Sequence, residues 1–129
     1  MERDHGRPIV ERVNLREKLA LFDEQWTPKI VAEVGVMHVK LAKIEGEFAW
    51  HAHENEDELF MVISGELSME LRALPVILLG PGEILVVPSG VEHRPVAREE
   101  VHILMFEPKT TVNTGTAEGD RTVEEPEWI

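Results

Sequence analysis

Residues 50–65 read WHAHENEDELFMVISG. Two histidines one residue apart precede an acidic run and then an apolar stretch that ends in glycine. Alternate side chains of a strand share a face, so His51 and His53 point the same way, at most ~6–7 Å apart along the chain. Both imidazoles can then converge on one ion, with metal–nitrogen bonds near ~2.1 Å. Four acids compete to join them. Glu58 has the parity of Phe60 and Val62 and projects with them into an interior, whereas Asp57 has the parity of Leu59 and Met61. Glu54 and Glu56 fall in a loop, where they reach water. Parity therefore selects Glu58. Residues 80–93, GPGEILVVPSGVEH, supply a further histidine: a glycine turn leads into a buried strand, Pro88-Ser89-Gly90 turns the chain, and His93 opens the next strand.

The surrounding texture is all β. Runs rich in valine, isoleucine and leucine occupy 29–34, 36–44, 59–63, 67–71, 76–79, 84–87, 91–96 and 101–106. Turn residues separate them at Gly46, Ser64-Gly65, Pro75, Gly80-Pro81-Gly82 and Ser89-Gly90. Many short strands at ~8–12-residue spacing indicate a sandwich or barrel. Ahead of them, 14–22 reads as a short helix, with Asn14 as cap, Glu17 at the capping-box position, and Leu15, Leu19 and Phe22 on one stripe. From Glu107 the chain turns polar and proline-bearing, an extended tail that ends Glu127-Trp128-Ile129. The expected organisation is an arm and helix over 1–28, the barrel over 29–107 and the tail over 108–129.

Composition excludes several functions. At 129 residues, 43% of them hydrophobic, the chain suits one globular domain. Its formal net charge of -12 repels phosphate backbones and anionic membrane surfaces, so neither nucleic acid nor membrane is an expected partner. With no cysteine, any metal must be held by nitrogen and oxygen. The opening MERDHGRPIV has no apolar signal core, and no run reaches the ~18–20 apolar residues of a membrane span. A cytoplasmic protein is the expectation.

The two motifs resemble those of the cupins, small jelly-roll β-barrels. The first cupin motif runs glycine, five residues, His-x-His, three or four residues, Glu, six residues, glycine. Here Gly46 precedes His51 and His53, Glu58 follows after four residues, and Gly65 after six more. The second runs glycine, five residues, Pro-x-Gly, two residues, His, three residues, Asn; Gly82, Pro88, Gly90 and His93 match it. Gly46 lies one residue closer to His51 than the pattern asks, and Ala97 stands where the family has its non-ligating Asn. The resemblance spans roughly residues 30–107 and implies that His51, His53, Glu58 and His93 are the ligands of one metal ion.

Three imidazoles and one carboxylate leave a five- or six-coordinate metal open, as reactive sites are. The set suits divalent Fe, Mn, Ni, Zn or Co. Phe48, Trp50, Phe60, Met61, Met69, His102 and Met105 are the candidate pocket residues over it, with His38 and His102 as possible support for a ligand. The fold does not fix the reaction. The reading is a small metalloenzyme, dioxygenase-like or isomerase-like, acting on a small oxygen-bearing molecule that chelates the metal. Its alternatives are a metal-dependent small-molecule or sugar-binding module without turnover, a barrel that the metal merely stabilises, and a sugar-phosphate isomerase using Arg94 and Arg98. The resemblance further implies a homodimer, with 30–34 and Trp128-Ile129 as contact candidates. Because imidazoles coordinate only when neutral, metal occupancy is expected to fall below about pH 6.

Overall fold

The computed structural model describes residues 10–117 and 119–129. Of the arm expected ahead of the helix, residues 1–9 fall outside the described residues. One short helix, α1 (Leu15–Leu19), precedes eight strands: β1 (Lys29–Val34), β2 (Met37–Glu47), β3 (Glu58–Ser64), β4 (Leu67–Leu71), β5 (Ile77–Leu79), β6 (Ile84–Val87), β7 (His93–Pro108) and β8 (Glu127–Trp128). The fold is all-β, as the alternating runs indicate, with the jelly-roll character that the resemblance implies. Asn14 caps α1, its side-chain carbonyl accepting the Glu17 N–H at 3.0 Å.

β7 is one strand where the sequence reads as two. Residues 97–100, Ala-Arg-Glu-Glu, contain neither glycine nor proline, so nothing breaks the ladder. Their exposed charges mark a bend instead. This bent strand organises the barrel. Its first part pairs with β4 and bridges His51 to His93, while its second part lies between β2 and β3. Register shifts between Ile44 and Gly46 on β2, and between Val62 and Ser64 on β3, give the curvature closure needs.

Inside lies a core of Ile44, Phe60, Val62, Leu67, Met69, Val101 and Ile103 with their neighbours. Outside, Leu19 and Phe22 pack on Val31 and Leu41, so the helical segment covers one outer sheet face. Ile129 joins that second cluster, and β8 extends the sheet by pairing in parallel with β1. The C-terminal segment thus contributes a strand of its own.

Candidate metal centre

Each of the four motif residues reaches the interior by a different local device. Glu58 opens β3 with inward parity, as its alternation with Phe60 and Val62 requires. His93 opens β7 after the Pro88-Ser89-Gly90 turn, and the left-handed φ of 83° at Gly90 fits glycine there. His51 and His53 do not lie in a regular strand. A single bridge, with His51 N–H to His93 O at 3.1 Å and His93 N–H to His51 O at 2.9 Å, fixes the first. The Gly90 N–H bond to the His53 carbonyl, 2.8 Å, fixes the second.

All four residues are buried, and one ligand atom from each lies within 4.8 Å of the others. Glu58 Oε1 stands 3.3 Å from His53 Nε2 and 3.4 Å from His93 Nε2. The Nδ1 atoms of His51 and His93 each lie 2.9 Å from a carbonyl oxygen, of Ala49 and Val91 respectively. A carbonyl only accepts, so Nδ1 carries the proton and Nε2 turns its lone pair inward. His53 Nε2, His93 Nε2 and Glu58 Oε1 are buried without any protein partner. Lone pairs converging on a carboxylate oxygen in a dry interior are unfavourable unless a cation sits among them. The donor set therefore suits a metal ion.

The electrostatics agree. Burial and the neighbouring His93 push His51 down to about 4, so its imidazole is neutral and ready to ligate. Burial alone would raise Glu58, but the neighbouring Glu107, His53 and His93 hold its carboxyl well below the usual range. The reverse holds for Glu107, which burial and then the Glu58 charge push well above it, against the pull of Lys40. Lys40 Nζ and Glu107 Oε1 are 2.9 Å apart, with both side chains only 2% exposed. No sequence motif marks this pair. Its signal was parity: Lys40 alternates inward with Ala42 and Ile44, and Glu107 with Ile103 and Met105.

From this centre a cleft with an enclosed volume of about 40 Å³ opens to the surface. Of the seven pocket candidates, Phe48, Phe60 and Met105 line it, with His51 and Glu58. Met69 is buried in the barrel core and is absent from the cleft wall. Met61 faces outward from β3. Trp50 lies outside beneath Arg72 and Arg94, whose guanidinium carbons are 4.2 and 5.2 Å from its ring. His102 also faces out, 2.9 Å from Glu100 Oε1. His38 contacts Glu33 and Trp128 rather than a ligand. Trp26, Pro28 and Asn113 line the cleft without having been read from sequence, because the loop before β1 and the C-terminal segment fold over the barrel mouth. In the acidic run, Asp57 accepts the Ser89 N–H at 2.9 Å and Glu56 accepts the Thr110 hydroxyl at 3.0 Å.

The C-terminal segment also walls the His53 side. Thr116 N–H donates to the Ala52 carbonyl, and the Ala52 N–H donates to Thr116 Oγ1. Gly115, at φ 51°, lies so close that a Cβ there would collide with the Ala52 oxygen and stand 3.1 Å from His53 Nδ1. Gly115→Ala is expected to lower stability by ~2 kcal/mol or more and to weaken metal binding about tenfold by displacing the His53 loop. A denaturation midpoint and a metal titration check both parts; unchanged values in both would mean the segment yields freely.

Comparison with known proteins places this geometry in context. The family model described as Cupin_2, cupin domain, matches residues 37–107. A solved cupin-2 domain containing protein from Shewanella frigidimarina NCIMB 400 is 44% identical, with a TM-score of 0.73 over 74% of this chain and 93% of its own. Protein NMB1881 from Neisseria meningitidis is 28% identical, with a TM-score of 0.70 over 76% of this chain and 99% of its own. A Bacillus subtilis (strain 168) protein described as uncharacterized protein YdbB is 38% identical over 64 residues, 50% of this chain. The chain spans 57% of the length of that curated relative.

Proposed function

This chain belongs to the Cupin_2 family of cupin domains, and from that premise we propose that it is a small metalloenzyme. His51, His53, Glu58 and His93 hold one divalent ion of Fe, Mn, Ni, Zn or Co, and the substrate is a small molecule that chelates it through oxygen. The reading rests on one observation: partnerless ligand atoms converge at the inner end of a cleft, and two of the four residues, His51 and Glu58, line that cleft. When bound, such an ion supplies Lewis-acid polarisation of a ligand oxygen and, if redox-active, one-electron chemistry.

The chain's own residues supply orientation and dryness. The carbonyls of Ala49 and Val91 lock two imidazoles in the ligating tautomer. Phe48, Phe60 and Met105 exclude water from the cleft. A dioxygenase-like or isomerase-like reaction is the reading this supports. The sugar-phosphate alternative is less well supported, since Arg94 is engaged by Glu70 at 2.6 Å and by Glu47 at 3.3 Å. A non-catalytic binding module would use the same centre without turnover.

We place the protein in the cytoplasm, as the sequence suggests; among the described residues no helix is long and apolar enough to cross a membrane. We propose a homodimer, as the sequence suggests. Of the contact candidates, Ile30 and Val31 are buried within their own chain while Val34 is exposed, and Ile84 and Val86 offer a further exposed apolar face beside the outward-facing Leu59 and Met61. Metal analysis of anaerobically purified protein, followed by oxygen uptake with catechol-like, diketone and sugar substrates, tests the reading. Near-stoichiometric metal with turnover of one class is the expected result. Protein that neither carries nor takes up a divalent metal would end it.

A further inference from the structure

The cleft has polar groups at one end only. Besides His51 and Glu58, the polar side chains on its wall are Trp26 and Asn113, and both are already engaged. Asn113 Nδ2 donates to the Arg121 carbonyl at 2.7 Å and its Oδ1 accepts the Val123 N–H at 2.8 Å. The indole Nε1 of Trp26 donates to the Glu45 carbonyl at 3.0 Å. A ligand must therefore place its oxygens at the metal end and offer only apolar surface to the rest, because a polar group left unpaired there is unfavourable. Sugars, with hydroxyls all round, do not meet this demand.

Trp26 is held at the mouth by several independent restraints. Its backbone is left-handed, with φ 60°, unusual for a bulky side chain. Its N–H is fixed to the Lys43 carbonyl at 2.8 Å. Its ring stacks on Phe48 with centroids 4.9 Å apart and planes 12° apart. The Arg121 guanidinium lies over the indole at 4.5 Å, anchored by Nη1 to the Glu47 carbonyl at 2.6 Å. Beyond Phe48, the ring of His51 follows edge-on at 5.2 Å. An aromatic file thus runs from the surface to a metal ligand. A bulky residue keeps such a backbone only where its surroundings over-determine it, as they do here.

We propose that the cleft takes a flat, π-rich ring carrying its oxygens at one end, and that Trp26 is the residue that selects it. This rests on the metal reading above and names the substrate class. The stacked pair of Trp26 and Phe48 rewards a planar ring by aromatic contact and gives a puckered ring of the same size less.

The test uses full-length protein loaded with Co²⁺, whose visible bands report the metal environment. Catechol and cyclohexane-1,2-diol carry 1,2-oxygen pairs on a flat and a puckered ring, and ribose is the polar control. Phenolic oxygens are more acidic and chelate a metal better in any site, so the change in the catechol-to-diol ratio on mutation, and not the ratio itself, reads the ring contact. Catechol is expected to shift the Co²⁺ bands at lower concentration than the diol, and ribose not to shift them. Trp26→Leu removes the ring while keeping an apolar side chain and is expected to lower the catechol-to-diol ratio about tenfold, leaving the ligand-free Co²⁺ spectrum unchanged. Trp26→Phe, which keeps a ring, is expected to retain most of the preference. A ratio unaltered in Trp26→Leu, or ribose binding as well as catechol, overturns the proposal while the metal centre stands. Failure of the parent protein to take up Co²⁺ overturns the metal reading, and this proposal with it.

Discussion

His93→Ala is expected to bind Co²⁺ or Mn²⁺ at least about a hundredfold more weakly than the parent chain, since even residues that merely support a ligand are worth 10–100-fold. His93 is fully buried, its Nδ1 is committed to the Val91 carbonyl, and its Nε2 faces Glu58 at 3.4 Å with no protein partner. Alanine removes one of four converging donors. Isothermal titration with the metal reads the loss, and a melt of the metal-free protein shows that the barrel is intact. Equal affinity in parent and variant would mean the ion binds elsewhere. The pH dependence has a definite sign. His51 is depressed to about 4 by burial and by His93, against an unfolded value near 6.5. Between those values the unfolded chain holds the extra proton, so stability of the metal-free protein falls as pH drops from ~6.5 toward 4. The same depression delays proton competition at His51 itself.

The centre was legible because its information is local. The His-x-His spacing, the inward parity of Glu58 on β3 and the turn before His93 each lie within one short segment, and the His51–His93 bridge joins the two segments directly. The strands were legible for the same reason, through alternation in runs such as 67–71, where Leu67 and Met69 are buried and Ser68 and Glu70 are not. Failures came where a contact depends on distant chain. Trp26 reaches the cleft only because the loop before β1 folds onto Phe48, and Asn113 only because the C-terminal segment crosses the mouth. Trp50 sits beside His51 in sequence, but its parity turns it outward beneath two arginines. Lys40 and Glu107 are 67 positions apart, and only the pairing of β2 with β7 brings them together.

That pair carries the second large effect. Lys40→Met is expected to destabilise the metal-free protein by about 3–5 kcal/mol, the usual result of removing one partner from a buried charge cluster. The interior then holds Glu58, ionised, beside Glu107, whose carboxyl is already pushed upward by burial and by the Glu58 charge. Lys40 is the buried cation paired to this cluster, 2.9 Å from Glu107. Without it the cluster carries an uncompensated negative charge in a low-dielectric core. Two consequences separate this from a packing loss. A divalent cation on Glu58 supplies the missing positive charge, so saturating metal should recover more stability in Lys40→Met than in the parent. Removing the second carboxylate as well, in Lys40→Met with Glu107→Leu, should recover part of the loss, since a matched apolar pair can replace a buried ion pair at little cost. Urea midpoints with and without Mn²⁺ for the parent, the single variant and the double variant decide the matter. If the double variant is as unstable as the single one, and metal raises both by no more than the parent, Lys40 contributes packing alone and its charge does not serve the centre.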